Sequence, residues 1–357
     1  MVRRRPAKRR NIAKCRWTGT ALWLVAAAAL LPPSAAAQEV EPWTEAVVSV
    51  TDIAAASRLF REAGDWRRTH AGRMARAELD YWKLPAQTRA TFERWCAPGT
   101  DTGCIRFVRF TGVAQRPVRR AARAWDTGGI FSIMVRSDNV PALFDAAIAR
   151  GWWAESEPIR FTFGASDLRN VVLTGPHGIN LAVYQRVSPP FTAFPVGRIS
   201  QAFNSMRMVK DRPAARAFYE QKLGFNVLFD SAREPAEPAS SNFGIPFNLT
   251  PTIKRAAAAL QPVAGVETGR VEVMQIEGFT GGDVSAHASP PNLGILSVRY
   301  PVRGLAAYRA QLEARGVTIA YAASAVPIGG LGHTDMIAVR DPDGNITEFY
   351  EAAKDRK

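Results

Sequence analysis

Glu348 is the first residue whose setting invites chemistry. It lies in Asp341-Pro342-Asp343-Gly344-Asn345-Ile346-Thr347-Glu348-Phe349-Tyr350, where proline and glycine write a turn and the residues after it alternate as an aromatic strand. Strand periodicity puts Glu348 on one face with Ile346 and Tyr350, and on a dry concave face its carboxylate needs a partner. Beyond residue 37 the chain has two cysteines, Cys96 and Cys104, separated by Ala-Pro-Gly-Thr-Asp-Thr-Gly. In an oxidising compartment this spacing predicts a loop-closing disulfide, with unpaired thiols as the alternative; a metal would want more ligands nearby. Arg116, Arg119, Arg120 and Arg123 could meet an anionic ligand or lipid headgroups, although such a run is more often a solvated face. Trp82 and Trp152-Trp153 read as core or interface residues.

These residues sit in a chain of 357 with 47% hydrophobic content, long enough for two domains with cores of their own. The formal charge of +14 overstates its basicity, because eight Lys or Arg fall in residues 1–37 and the remainder carries only +6. That removes most of the case for a nucleic-acid partner. A basic segment from Arg3 to Arg16, an apolar run Ala21 to Leu31, Pro32-Pro33 and Ala35-Ala36-Ala37 predict a cleaved export signal over 1–37 and a periplasmic or secreted protein. Eleven apolar residues fall short of the roughly 20 that span a bilayer, so no stable membrane span is expected. Arg9-Arg10-Asn11-Ile12-Ala13-Lys14 loosely resembles a twin-arginine signal.

The pattern beyond the signal repeats. Strand Glu45 to Asp52 leads into a helix over Ile53 to Ala63 capped by Asp52, then a polar segment, a helix around Ala86 to Trp95, and strand Cys104 to Phe110. A second module runs from Gly128 through helix Val140 to Arg150 to strands at Asn170 to Leu173 and Ile179 to Tyr184, around the turn Gly175-Pro176-His177-Gly178. Proline-rich residues 188–197 read as a linker. The sequence then restarts with strand Asn204 to Val209, cap Asp211, a helix ending at Gly224, a helix around Thr250 to Leu260 and strand Arg270 to Glu277. The last module comprises strand Gly294 to Tyr300, helix Leu305 to Arg315, strands Val317 to Ala322 and Asp335 to Val339, and the turn and strand that carry Glu348. This is an internal duplication, each half itself double.

Asn204-Ser-Met-Arg-Met-Val-Lys-Asp211, Ala217-Phe-Tyr-Glu-Gln-Lys-Leu-Gly-Phe225 and Asp341 through Glu348 resemble the vicinal oxygen chelate superfamily of glyoxalases, bleomycin-resistance proteins and extradiol dioxygenases. The resemblance implies an α+β fold of tandem βαβββ modules, with two glyoxalase-like domains, 42–187 and 198–353, each curling a mixed sheet into a cup. It also implies a divalent metal held by imidazole and carboxylate, acting on vicinal oxygens of a substrate. Carried over position by position, the usual ligands fall on Asn204, Glu272, Ile295 and Glu348 in the second half, and on Glu45, Arg106, Ile130 and Ala182 in the first. Both histidines are replaced, which argues against extradiol cleavage. Glu45 and Arg106 could instead pair as buried opposite charges.

One expectation follows from those matches: Glu272 and Glu348 face one another across the C-terminal cup beside Asn204, with Tyr350 and Ile295 lining the ligand. Two carboxylates in a dry pocket would share a proton suited to carbon-acid chemistry, or would hold Mg, Mn or Ca, or less readily Zn or Fe, by oxygen ligands. The competing expectation is a decayed site in which Glu272 and Glu348 pair with arginines such as Arg207 or Arg299, leaving a non-catalytic binding or sequestering protein. Of four histidines, His333 follows Gly329-Gly330-Leu331-Gly332, a hinge that could cover the cup mouth, and is the spare acid or base. His287 could reach the cup only if its loop folds inward, and His70 and His177 receive no role. The glycine-rich loop lacks the strand-before, helix-after context of a phosphate site. The expected partner is a small organic molecule, with no nucleic acid and with a homodimer left open; the expected chemistry is that of a lyase or isomerase.

Overall fold

The computed structural model describes residues 40–352; the segment read as an export signal lies outside the described residues. Four modules follow one another. The first holds β1 (Glu45–Ser49), α1 (Ile53–Gly64), β2 (Arg67–Arg73), α2 (Arg76–Tyr81), β3 (Arg89–Cys96) and β4 (Cys104–Thr111). The second holds β5 (Ile130–Arg136), α3 (Val140–Ile148), β6 (Trp153–Ala154), β7 (Ile159–Phe163), β8 (Ser166–Thr174) and β9 (Asn180–Ser188). The third holds β10 (Asn204–Met208), α4 (Arg212–Ala217) continued by a π-helical turn, β11 (Asn226–Arg233), β12 (Lys254–Gln261) and β13 (Arg270–Glu277). The fourth holds β14 (Gly294–Pro301), α5 (Leu305–Ala314), β15 (Ile319–Ile328), β16 (Gly332–Arg340) and β17 (Ile346–Ala352).

The modules pair in an order that the sequence halves do not suggest. One sheet runs β15-β16-β17-β14-β1-β4-β3-β2, and the other runs β11-β12-β13-β10-β5-β9-β8-β6 with β7 beside β8. The first module therefore joins the fourth through antiparallel β1 and β14, and the second joins the third through β5 and β10. Each curled sheet draws on both halves of the chain, so neither 42–187 nor 198–353 builds a cup of its own. The pairing is illegible in sequence: each module opens on a strand that is buried along almost its whole length, and any two could pair by periodicity alone.

Local signals placed the helices well. Asp52, Asn139 and Asp211 each accept a hydrogen bond from a backbone N–H in the first turn of α1, α3 and α4. Two expected helices are strands instead: Arg89–Cys96 and Lys254–Gln261 are β3 and β12, equivalent members of the two sheets. The alanines of Lys-Arg-Ala-Ala-Ala-Ala-Leu-Gln favour helix intrinsically, but β12 is hydrogen-bonded on both sides by β11 and β13, and that pairing overrides propensity. β2 escaped detection because all seven of its residues are exposed, leaving no apolar alternation.

Three apolar clusters organise the interior. The largest joins the helices to the backs of both sheets, through residues such as Phe60, Leu143, Tyr219, Leu312 and Phe349. The second fills the concave face of the β1–β14 sheet, and the third lines that of the β5–β10 sheet. Cys96 and Cys104 are disulfide-bonded as expected, with Cα atoms 4.4 Å apart. The loop they close bears Gly103 at φ 62°, where a Cβ would stand 2.1 Å from the Ala202 carbonyl oxygen; glycine there lets the loop seat against the approach to β10.

Candidate functional site

The two cups have opposite characters. In the β1–β14 cup, Glu348 is fully buried and its partner is Arg299: Nε donates to Glu348 Oε2 at 2.7 Å, Nη1 to Glu45 Oε1 at 3.1 Å and Nη2 to Glu78 Oε1 at 2.9 Å. Glu45 also accepts from Arg106 Nε at 2.7 Å and Arg94 Nε at 3.0 Å. Trp82 Nε1 donates to Glu348 Oε1 at 2.7 Å and Ser297 Oγ to Oε2 at 3.0 Å. Three acids thus meet three arginines in one buried cluster, the compensation that buried charge demands. Burial pushes the Glu45 carboxyl up, but Arg106 and Arg299 outweigh it and hold its pKa down at about 2; at Glu78 burial wins and the pKa is raised. The cup is also plugged. Helix α2 brings Glu78, Trp82 follows it, and the turn at Gly329 closes over Arg106, whose Nη2 donates to the Gly329 carbonyl at 2.7 Å.

The β5–β10 cup is open. It holds a cavity of about 870 Å³, a volume typical of small-molecule sites. Glu272 on β13 lies in it, buried, and accepts from Asn204 Nδ2 on β10 at 3.1 Å. Parallel pairing of β10 with β13 sets that contact, Met206 standing opposite Glu272 and Asn204 two residues before it on the same face. Among the described residues no arginine bridges this carboxylate. Burial raises its pKa to about 7, against the weaker downward pull of Asn204 and Arg270. Tyr184, in the same cavity, is pushed up by its own burial and then by the charge of Glu272. Asn204 Oδ1 accepts from Ser205 N at 2.8 Å, which fixes the amide so that its nitrogen faces Glu272. The result is one carboxyl group that changes charge near neutral pH inside a ligand-sized cavity.

The sequence profile of the Glyoxalase/Bleomycin resistance protein/Dioxygenase superfamily matches residues 203–349. Residues 203–349 are thus similar in sequence to that superfamily. Glyoxalase I from Zea mays has a similar fold at 15% identity and a TM-score of 0.58, covering 88% of this chain and 93% of that one. A putative dioxygenase from Bacillus subtilis is similar at 9% identity and a TM-score of 0.53, covering 88% and 86%. No curated protein matches the sequence.

Strand register gives the residues that stand together on the concave face of each cup, in place of the set carried over from the sequence resemblance. These are Glu45, Arg106, Arg299 and Glu348 in one, and Asn204, Glu272, Met134 and Ala182 in the other. Neither set fits a metal ion. In the first, Arg299 itself joins the carboxylates that would ligate; in the second, one carboxylate and one amide stand beside a thioether and a methyl group. Among the described residues no group of three His, Cys, Asp or Glu side chains could hold a metal.

Several expected site residues lie elsewhere. Glu272 and Glu348 do not face each other but belong to different sheets, so the shared-proton pair and the Glu272, Glu348 and Asn204 metal site are not assembled. Ile295 packs in the core behind the sheet, whereas Leu296 faces the cup. A register shift opposite Val47 and Val48 explains the slip, since an extra residue in β14 swaps the faces; β5 shows the same shift opposite Met206 and Arg207. Tyr350 fills the plugged cup and its hydroxyl meets Thr44 Oγ1 at 3.1 Å. His333 is exposed on β16, and His287 is half-buried beside Arg116. Arg207 pairs with Asp341 at 3.8 Å, not with Glu272. The Asp-Pro-Asp-Gly-Asn turn is structural: Asp341 accepts from Tyr219 OH at 2.9 Å, and Asp343 accepts from Lys210 N at 3.0 Å. Sequence reasoning missed Glu78, because α2 lies in a stretch without apolar periodicity.

Proposed function

We propose that the protein binds a small oxygenated organic molecule in the β5–β10 cup, and that Glu272 exchanges a proton with it. The supporting observation is the placement of Glu272: a buried carboxyl group without an arginine partner, titrating at about 7, in a cavity of about 870 Å³. A base poised near the working pH combines correct ionisation with driving force for transfer. Ionised Glu272 takes a proton from a carbon beside a carbonyl, leaving an enolate, and returns it to the same carbon; on an α-hydroxy ketone it returns it instead to the former carbonyl carbon while the hydroxyl proton passes to the other oxygen, so that the carbonyl moves by one carbon. The net change is exchange or isomerisation, with no oxidant required. Asn204 positions the carboxylate. The β1–β14 cup takes no part, since its charges compensate one another and α2 fills its mouth.

The test uses an aryl α-hydroxy ketone, 2-hydroxyacetophenone, in D2O with exchange of its carbon-bound protons followed by NMR. Exchange above the buffer rate that disappears in Glu272→Gln, with binding retained, is the expected result. Binding without exchange in the native protein would reduce the cup to a sequestering site.

A further inference from the structure

We infer that the rim of the open cup between β11 and β12 is an anion subsite, formed by Arg233 and Arg255, for the carboxylate or phosphate end of an otherwise aromatic or apolar ligand. The inference rests on reading this cup as a ligand site but not on Glu272 being a base.

The register of the hairpin carries the argument. Antiparallel pairing sets Arg233 of β11 directly opposite Arg255 of β12, and both line the cavity. Like charges directly opposed across a ladder are destabilising. Charges next to the pair on β12 and on the neighbouring α4 are matched: Lys254 meets Glu277 at 3.0 Å, and Arg212 and Arg216 share Asp230. Among the described residues, Arg233 and Arg255 have no such ion pair. The acid felt by Arg255 is Glu234, next to Arg233 in sequence and exposed. Arg255 Nε is buried without a hydrogen-bond partner, as is Nε of Arg186, a further cavity residue. Burial lowers the pKa of both rim arginines, and at Arg255 the charge of Arg233 lowers it further. An unmatched, partly dried pair of guanidinium groups is what an oxyanion completes, because each offers planar donors suited to two oxygens.

The rest of the cup specifies the body of that ligand. Arg233 lies over the ring of Phe161 at 4.4 Å, and Phe163 meets Phe229 edge-on at 5.2 Å. The hairpin of the second module and the strand of the third therefore narrow the rim with aromatic surface. Below it, Ala257 and Ala259 leave room on the cavity floor. Ala259 stands opposite Glu272 and four residues along β12 from Arg255, a distance of about 13 Å. The subsite thus selects elongated molecules, with the anion held at the rim and the oxygenated carbon near Glu272.

Calorimetry with 4-phenylbutyrate and its uncharged amide tests this. The native protein is expected to bind the acid at least tenfold tighter than the amide. Arg233→Gln/Arg255→Gln should erase that preference by weakening the acid at least tenfold more than the amide, and should melt no lower than the native protein, since it removes a like-charge contact. Glu272→Gln should keep the preference, so loss of proton exchange and loss of anion binding are separable. Equal affinity for acid and amide, a preference that survives the double substitution, or no binding of either at millimolar concentration would overturn the subsite.

Discussion

Two glutamates read as one site turn out to be opposite cases. Glu348 is held by Arg299, Trp82 and Ser297 and is part of the frame; Glu272 has one amide neighbour and a cavity. Both were legible as buried carboxylates, from strand alternation and the superfamily motif. Their partners were not, because Arg299, Glu78 and Trp82 converge from three elements distant in sequence. The sign of the Glu272 perturbation gives a stability prediction. Its folded pKa, about 7, lies above the ordinary 4.5, so burial costs nothing below pH 4.5, the cost grows between 4.5 and 7, and it is constant above. Glu272→Gln is therefore expected to be more stable than the native protein by roughly 3 kcal/mol above pH 7 and equal to it below 4.5. Urea denaturation across that range checks it. Glu45 works the other way: its pKa is held down at about 2, so its contribution is complete above 4.5 and is lost as pH falls towards 2.

At the scale of elements, capped helices and alternating strands were readable and the alanine-rich β12 was not, since hydrogen bonding from two neighbours outweighs intrinsic preference. The β-bulges of β14 and β5 matter most for function, because each swaps which residues face the cup and defeats counting by twos. The disulfide loop also belongs here. It closes Cys96 to Cys104 beside Arg94, which donates to Cys96 Sγ at 3.1 Å, to the Asp101 carbonyl and to Glu45. Replacing both cysteines by serine should cost about 2–3 kcal/mol by freeing the unfolded chain, read as a lower denaturation midpoint. Ligand affinity in the other cup should not change.

For the whole molecule, the pairing of first with fourth and second with third modules makes the two halves interdependent. Cut within 189–197, residues 40–188 would leave β1 without β14 and β5 without β10. Each half expressed alone is expected to stay unfolded or aggregate, and the two together to reassemble, as circular dichroism and size-exclusion chromatography would show. A monomeric half that melts cooperatively would mean that modules within one half can pair with each other. The sequence alone determined the module type, the helix caps and the superfamily likeness of residues 203–349, because these depend on local periodicity and on short motifs whose turn chemistry is self-contained. Only the tertiary structure decided which modules share a sheet, and with it that Arg299 compensates Glu348 while Glu272 lies in an open cavity with an amide as its hydrogen-bond partner. The physical reason is that four modules that each open on a buried strand satisfy the same local rules in any pairing, whereas the energy of a buried charge depends on which side chains the chosen pairing places around it.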